Sequence, residues 1–294
     1  MISAEKVFYA FDGENRPAER IVPPATVEIQ TQDCFSNQLR DPADTIDELD
    51  WECINPATGP VYVEGAEPGD TLKVTIESID LDDQGTVCVI EGEGVLGHMI
   101  SGNHIRVAPI VDDMVQYLDL QIPIKKMVGV IGVAPEDGGI NNGTPGKHGG
   151  NMDTIMITEG AKVYFPVGVK GALFGLGDCH GVMGDGEIGV SALECAAKVK
   201  VTLELIKGKA PEYPIVENDE AFGVIVSKET TDEAIAVATE LMCKFLEERM
   251  TGYTREEIIM LMSMVGDVQI SQVVDPEKTV RFVFPKAYAK GITY

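Results

Sequence analysis

The chain has 294 residues, 44% of them hydrophobic, which suffices for a large core in one domain or two interlocked domains. Its formal net charge of −25 disfavours nucleic acid and anionic membranes, which bind basic patches, and is compatible with metal ions and with neutral or cationic substrates. The six cysteines are scattered, which predicts reduced thiols rather than disulfides. The start lacks a secretory pattern, and no apolar run of about 18 residues occurs, so we predict a cytoplasmic protein without membrane spans.

Alternating polar and apolar residues predict strands through most of the chain. The principal ones are Ala25–Asp33, Asp70–Leu81, Thr86–Ile90, Thr154–Thr158, Lys162–Pro166, Ala172–Gly177 and Lys198–Ile206. The turn residues Asp82–Gly85 predict that Asp70–Leu81 and Thr86–Ile90 pair as a hairpin.

Two helices are predicted near the C-terminus. The capping-box pattern Thr-x-x-Glu occurs at Thr230 and Thr254, each time before apolar residues at helical spacing, which continue to about Met250 and Gly266. Two more predicted strands follow, at Val268–Val274 and Thr279–Phe284. This order favours a mostly-β core with a smaller α+β part. We divide the chain into a β-rich N-terminal part, a β-rich part that completes the site and an α+β C-terminal part, at residues 1–150, 151–225 and 226–294.

A glycine-rich stretch contains two of the four histidines, each with a carboxylate close by. It reads NNGTPGKHGGNMD at Asn141–Asp153 and GLGDCHGVMGDGEIGVSALE at Gly175–Glu194. More than half of the 31 glycines lie in Gly129–Gly189, and glycine lets the backbone approach a ligand closely. The stretch therefore indicates a functional site, whose polar candidates are His148, Asp153, Asp178, His180 and Glu187.

The spacing of these residues indicates metal chemistry. In an extended segment Asp178 and His180 point to one face and Cys179 to the other, which suits a metal pair or a carboxylate that orients an imidazole. This arrangement does not suit a thiolate–imidazolium dyad of Cys179 and His180, because adjacent side chains point apart. Zinc binds imidazole nitrogen and carboxylate oxygen and lowers the pKa of bound water to about 7. A nearby carboxylate then acts as base, and we select Glu187 for that role.

Several candidates also have a structural interpretation. Asp33, where the first long strand ends, either reaches a site or bonds backbone amides. Asp153 either serves the site or shapes an Asx turn. Asp185, which precedes a glycine, fits an ordinary turn pair. His98 and His104 fit core or loop positions.

Four longer motifs resemble those of a known family. They are TQDCFSNQL at Thr31–Leu39, NPATGPVYVEGAEPGDTLKVTI at Asn55–Ile76, KHGGNMD at Lys147–Asp153 and GDCHGVMGDGEIGVSALE at Gly177–Glu194. With them the chain resembles the acetamidase/formamidase family from about Glu28 to Pro285. The resemblance implies hydrolysis of formamide or acetamide to a carboxylate and ammonia, and a homodimer or higher oligomer. The family's polar site residues fall on Asp33, His148, Asp153, Asp178, His180 and Glu187.

The expected fold is mostly β with a smaller α+β part: a jelly-roll-like β-sandwich, a β-barrel-like region and the late helix pair. In our first hypothesis a divalent ion, zinc, activates water, with Glu187 and His148 as catalytic residues and calcium as a candidate second ion. The proposed metal ligands are Asp33, His148, Asp153, Asp178 and His180. The alternative is a non-catalytic, metal-containing protein that binds a small polar ligand. The first hypothesis requires the two imidazoles to meet around one cation.

Overall fold

The computed structural model describes residues 1–289 and 291–294, which form two large sheets and two late helices. The strands of the first half are β1 (Val7–Phe8), β2 (Ala10–Phe11), β3 (Glu19–Ile21), β4 (Ala25–Thr31), β5 (Ala57–Val63), β6 (Thr71–Leu81), β7 (Gln84–Val89), β8 (His104–Val111), β9 (Met114–Tyr117), β10 (Leu120–Pro123), β11 (Met127–Gly132) and β12 (Ile140–Asn141). The later elements are β13 (Gly149–Asn151), β14 (Lys162–Pro166), β15 (Phe174–His180), β16 (Glu194–Cys195), β17 (Ala197–Ile206), β18 (Ile215–Glu217), β19 (Ala221–Lys228), α1 (Thr231–Glu247), α2 (Arg255–Val265), β20 (Asp267–Gln272) and β21 (Lys278–Pro285).

The first sheet has eleven strands and contains β15 near its centre. Its main path is β1-β5-β15-β16-β7-β8-β9-β10, and β11 joins β15 to β13 while β3 pairs with β5. The second sheet has eight strands in the order β20-β21-β19-β18-β14-β6-β17-β4. Neither sheet closes on itself within the described residues, so the expected barrel-like region is not found there. The mostly-β class with a late helix pair is confirmed.

The two sheets share one apolar core, which makes this part a sandwich. On β17 the alternate residues Val199, Val201 and Leu203 are fully buried, and they meet Val128 and Phe174 of the first sheet within the same cluster. Burying each such side chain contributes about 1.5–3 kcal/mol, which explains why alternation predicts this strand correctly. Along its whole length β17 pairs antiparallel with β6.

Two predicted features are wrong. Strands β6 and β7 are consecutive but do not pair, because β6 joins β14 and β17 in the second sheet while β7 joins β16 and β8 in the first. The short connection between them crosses from one sheet to the other. Thr154–Thr158 forms turns rather than a strand, with the hydroxyl of Thr154 bonded to Met152 O and the N–H of Ile157 bonded to Thr154 O.

Both helices cover the C-terminal half of the second sheet. Their buried residues, such as Met242 and Met262, pack in a second apolar cluster with Phe222 and Phe282 of β19 and β21. The side chain of Thr230 caps α1, as the capping pattern predicts. In the described part of the chain, neither helix combines the length and the apolar character needed to cross a bilayer.

The capping box of α2 gives a first testable prediction. The Thr254 hydroxyl accepts the N–H of Glu257 at 3.3 Å, and the Glu257 carboxylate accepts the N–H of Thr254 at 2.8 Å. Thr254→Ala should lower the free energy of unfolding in urea by about 1 kcal/mol, because the N–H of Glu257 loses its acceptor. The control Thr251→Ala, in the exposed turn before the helix, should change it by less than about 0.5 kcal/mol. Equal losses in both variants would contradict the role of the cap.

Candidate functional site

Strand β15 places Asp178 and His180 on one face of the first sheet. The His180 Nε2 lies 3.3 Å from Asp178 Oδ1, and both side chains are buried. Cys179 points the other way, into the core between the sheets, as the alternation predicts. The alternation of side chains along β15 therefore places the carboxylate of Asp178 and the imidazole of His180 on the same face of the sheet.

Two further carboxylates meet the same imidazole. Glu194 on β16 lies directly opposite His180 in the strand pairing, and its Oε2 is 3.2 Å from His180 Nε2. Asp153, which follows β13, brings its Oδ1 to 3.7 Å from that nitrogen. The ring of His180 is thus surrounded by three carboxylates from three parts of the chain.

Glu187 completes this group from the loop of residues 181–193, which connects β15 to β16. It is 8% exposed, and one ligand atom each from Asp153, His180 and Glu187 lies within 4.8 Å of the others. A second group that meets the same distance limit contains Cys34, Asp178 and Glu194. We call Asp153, Asp178, His180, Glu187 and Glu194 the His180 cluster.

The backbone at the cluster is held in an unfavourable conformation. Asp153, Asp178 and Glu187 have φ values of +40°, +52° and +46°, in the left-handed region. Such conformations cost of order 1–3 kcal/mol each for a side chain other than glycine, and they persist only where the surroundings impose them. Opposite Asp178, Gly129 leaves room for the carboxylates of Asp153 and Asp178, which a methyl group would strike. The fold accepts local strain here to bring charged groups together.

The cluster holds more negative charge than its own side chains neutralise. In the described chain, His180 is the basic side chain within 4.0 Å of Asp153, Asp178 and Glu194. Burial raises the pKa of Asp153 well above its ordinary value, that of Glu187 to about 8 and that of Glu194 to about 7. Burial also opposes the charged ring of His180, but Glu194 and Asp178 raise its pKa.

The oxygen atoms of the cluster fit a bound cation. Both carboxylate oxygens of Asp153 are buried and find no hydrogen-bond partner in the described residues, and the Oε2 of Glu194 has an ion-pair contact with His180. An unpaired buried carboxylate is strongly unfavourable unless it is protonated or binds a cation. Imidazole nitrogen with carboxylate oxygens is a donor set that zinc accepts. The residues present therefore suit a divalent ion.

An apolar cavity of about 490 Å³ adjoins the cluster, and Glu187 forms part of its wall. The other lining residues include Val87, Val115, Tyr117, Ile122, Val182 and Leu193. Asp185 also lies at its wall, and the other lining side chains are uncharged, so the cavity suits a small neutral molecule better than an anion. Glu187 thus connects the cavity with the His180 cluster.

The structure does not bring His148 into the cluster, contrary to the expectation that the two imidazoles meet. His148 precedes Gly149, which pairs with Gly132, whereas His180 pairs with Met127. Five residues of β11 separate these positions, about 17 Å along a strand. His148 is buried against Phe11, with a ring-centroid distance of 5.3 Å, and burial lowers its pKa to about 4.

Asp33 lies beside the cluster but has a partner of its own. Its Oδ1 accepts a hydrogen bond from the N–H of Asn37 at 2.7 Å, as expected if Asp33 bonds backbone amides after its strand. Burial raises its pKa to about 6, and the charge of Asp178 adds to that effect. Asp185 is likewise structural, because both its carboxylate oxygens accept hydrogen bonds from Arg281.

Sequence reasoning missed Glu194 and Asp275. Glu194 ends the motif Gly177–Glu194, but only the pairing of β15 with β16 reveals that it faces His180. Asp275 lies between β20 and β21 and accepts a hydrogen bond from Asn151 at 3.0 Å. Burial raises its pKa, and the charges of Asp153 and Asp178 raise it further, so Asp275 belongs to the same electrostatic neighbourhood. No local pattern in the sequence marks it.

Comparisons with known proteins agree with this architecture. A sequence profile described as the Acetamidase/Formamidase family matches residues 5–142 and 139–288. A solved structure of a predicted acetamidase/formamidase from the thermophile Thermoanaerobacter tengcongensis is 47% identical, with a TM-score of 0.97 over 100% of this chain and 98% of that one.

Curated relatives are more distant. The acetamidase of Mycolicibacterium smegmatis is 25% identical over 282 residues, 71% of this chain and 70% of that protein. The formamidase of Methylophilus methylotrophus is 27% identical over 247 residues, 64% of this chain and 61% of that protein, so the chain spans less than two thirds of its length. The profile match and the thermophile relative confirm the resemblance seen in the motifs. The chain belongs to the acetamidase/formamidase family, whose members are hydrolases acting on the C–N bonds of linear amides.

Proposed function

We propose that this chain hydrolyses a short linear amide, formamide or acetamide, to a carboxylate and ammonia. The observation that carries the proposal is the meeting of Asp153, His180 and Glu187 within 4.8 Å beside a cavity with apolar walls. The family's named members act on these amides. A small neutral amide fits the mainly apolar lining beside Glu187.

The residues of the His180 cluster would hold a divalent cation, for which zinc is our choice. Calcium prefers shells made only of oxygen, so the imidazole of His180 argues against calcium at this position. Calcium as a second ion stays a prediction. The bound cation would lower the pKa of a water molecule and polarise the amide carbonyl. Asp178 and Glu194 orient the ring of His180 through the contacts at 3.3 and 3.2 Å.

Glu187 is the proposed proton carrier. Its carboxyl group is buried beside the other cluster residues, and a carboxylate in that position can accept a proton from water and later donate it. It takes a proton from the attacking water and returns it to the leaving nitrogen. His148 lies outside this scheme, and its catalytic role stays a prediction. The cytoplasmic location and a homodimer or higher oligomer are likewise proposals.

Removal of the cation tests the proposal. The purified protein, with its metal content measured, should release ammonia from formamide or acetamide, lose that activity after chelation and regain it with added zinc. Its unfolding temperature should fall on chelation, because a ligand at 100 times its Kd adds about 2.7 kcal/mol to the stability of the folded state.

Two outcomes would contradict parts of this scheme. Unchanged turnover in protein shown to be free of metal would contradict the role of the cation. A zinc-loaded, folded protein that releases no ammonia from either amide would contradict the hydrolase and favour the non-catalytic binding alternative.

A further inference from the structure

The loop that carries Glu187 is fastened to the C-terminal strand β20. The Gly186 N–H donates to the carbonyl of Ser271 at 2.9 Å, and the Gly186 carbonyl accepts the N–H of Val273 at 3.2 Å. These bonds form a parallel bridge between Gly186 and Gln272. Because Glu187 directly follows the bridge, a shift of β20 would move its carboxylate.

A buried guanidinium on the next strand strengthens this connection. Arg281 of β21 is 1% exposed, and its Nη1 and Nη2 donate to the two carboxylate oxygens of Asp185 at 2.9 and 2.6 Å. A bidentate ion pair of this kind fixes the plane of the carboxylate as well as its distance from the guanidinium. Asp185, two residues before Glu187, is therefore held in one orientation relative to β21.

The same guanidinium also reaches the other side of the cluster. Its Nη1 donates to the hydroxyl of Ser271 at 3.0 Å, which in turn receives a hydrogen bond from the hydroxyl of Thr154 at 2.9 Å. Thr154 directly follows Asp153. Arg281 is thus linked through Ser271 to the residue after Asp153 and directly to the residue two before Glu187. Its Nε donates to Gln269 at 2.9 Å.

We propose that Arg281 is a positioning residue, which holds Asp153 and Glu187 at the places that the His180 cluster requires. Both residues have positive φ values, a conformation that needs an external constraint. Arg281 provides one through Ser271 and Asp185 without touching the substrate. The link to catalysis rests on the proposed function, whereas the link to cation binding does not require turnover.

The test is Arg281→Lys, which keeps the positive charge but not the planar fork. Its matched control is Arg255→Lys, where an exposed guanidinium bonds Glu247 between the two helices. Four quantities are measured: the zinc affinity of the metal-free protein by competition with a coloured chelator, kcat for formamide, KM for formamide, and the unfolding temperature. We expect zinc affinity and kcat to fall by about 10–100-fold in Arg281→Lys with little change in KM, and no change in Arg255→Lys.

Unchanged zinc affinity and kcat in a folded Arg281→Lys protein would overturn the proposal. If that variant does not fold, Ser271→Ala removes only the hydroxyl between Arg281 and Thr154, and unchanged zinc affinity there would overturn it as well. Weaker zinc binding in the variant, together with no amide turnover in the unmodified protein, would support the positioning role and reject the proposed function. The two proposals therefore fail in different measurements.

Discussion

Replacing Glu187 by glutamine is expected to lower kcat for formamide and acetamide by about 10²–10⁴-fold, the usual contribution of general acid–base catalysis. Glutamine has nearly the same shape but cannot accept the proton of the attacking water. The variant should remain folded, because it replaces a buried carboxylate by a neutral group. The measurement is the rate of ammonia release at saturating amide.

The control for this variant is Glu93→Gln, at an exposed loop position, whose kcat should not change. Zinc content has to be measured on the same samples, because loss of the cation would also stop turnover. Full turnover in a zinc-loaded Glu187→Gln protein would contradict the assignment of the base. Loss of zinc in that variant would identify Glu187 as a ligand instead.

The second large effect is expected from Gly129→Ala. A Cβ atom at this position would lie 2.5 Å from Asp178 Oδ2, would also strike the Oδ1 of Asp153, and would come within 3.0 Å of the Asp178 carbonyl. Neither carboxylate has free space, because both are buried in the cluster. Displacement by about 1 Å at a site can lower turnover by about 10²-fold, so we expect that loss in kcat and weaker zinc binding.

The same variant should lose about 1–3 kcal/mol of stability, as is usual when a well-packed site receives an extra carbon. Urea unfolding measures that loss. Gly184→Ala is the control, since a Cβ there meets no atom within 4 Å and the position lies in the loop that carries Glu187. Gly129→Ala with normal zinc affinity and normal kcat would show that the cluster tolerates displacement.

The sequence predicts those elements whose pattern depends on burial alone. Alternation identifies β17 because every second residue faces the core between the sheets, and Thr-x-x-Glu identifies the starts of α1 and α2. It does not show which strands pair. Strands β6 and β7 are adjacent in the chain and lie in different sheets, a choice decided by contacts with β17 and β16.

The same limit applies to the candidate site. Asp178 and His180 are two residues apart, so their common face follows from local geometry. The position of Glu194 depends on the register between β15 and β16. The position of Asp275 depends on how the β20–β21 connection approaches Asn151. His148 lies in the same glycine-rich stretch as Asp153, yet the register of β13 on β11 takes it to the far end of that strand.

Asp275 and Arg281 also determine when the site is assembled. Arg281 lies on the last strand and Asp275 in the connection before it, whereas their partners Asp185 and Asn151 are synthesised much earlier. Because N-terminal regions leave the ribosome first, a nascent chain carries most of its strands before these late contacts exist. A polypeptide released before residue 281 would lack the Arg281–Asp185 pair that fastens the Glu187 loop, so we expect incomplete translation products to leave the loop without this anchor.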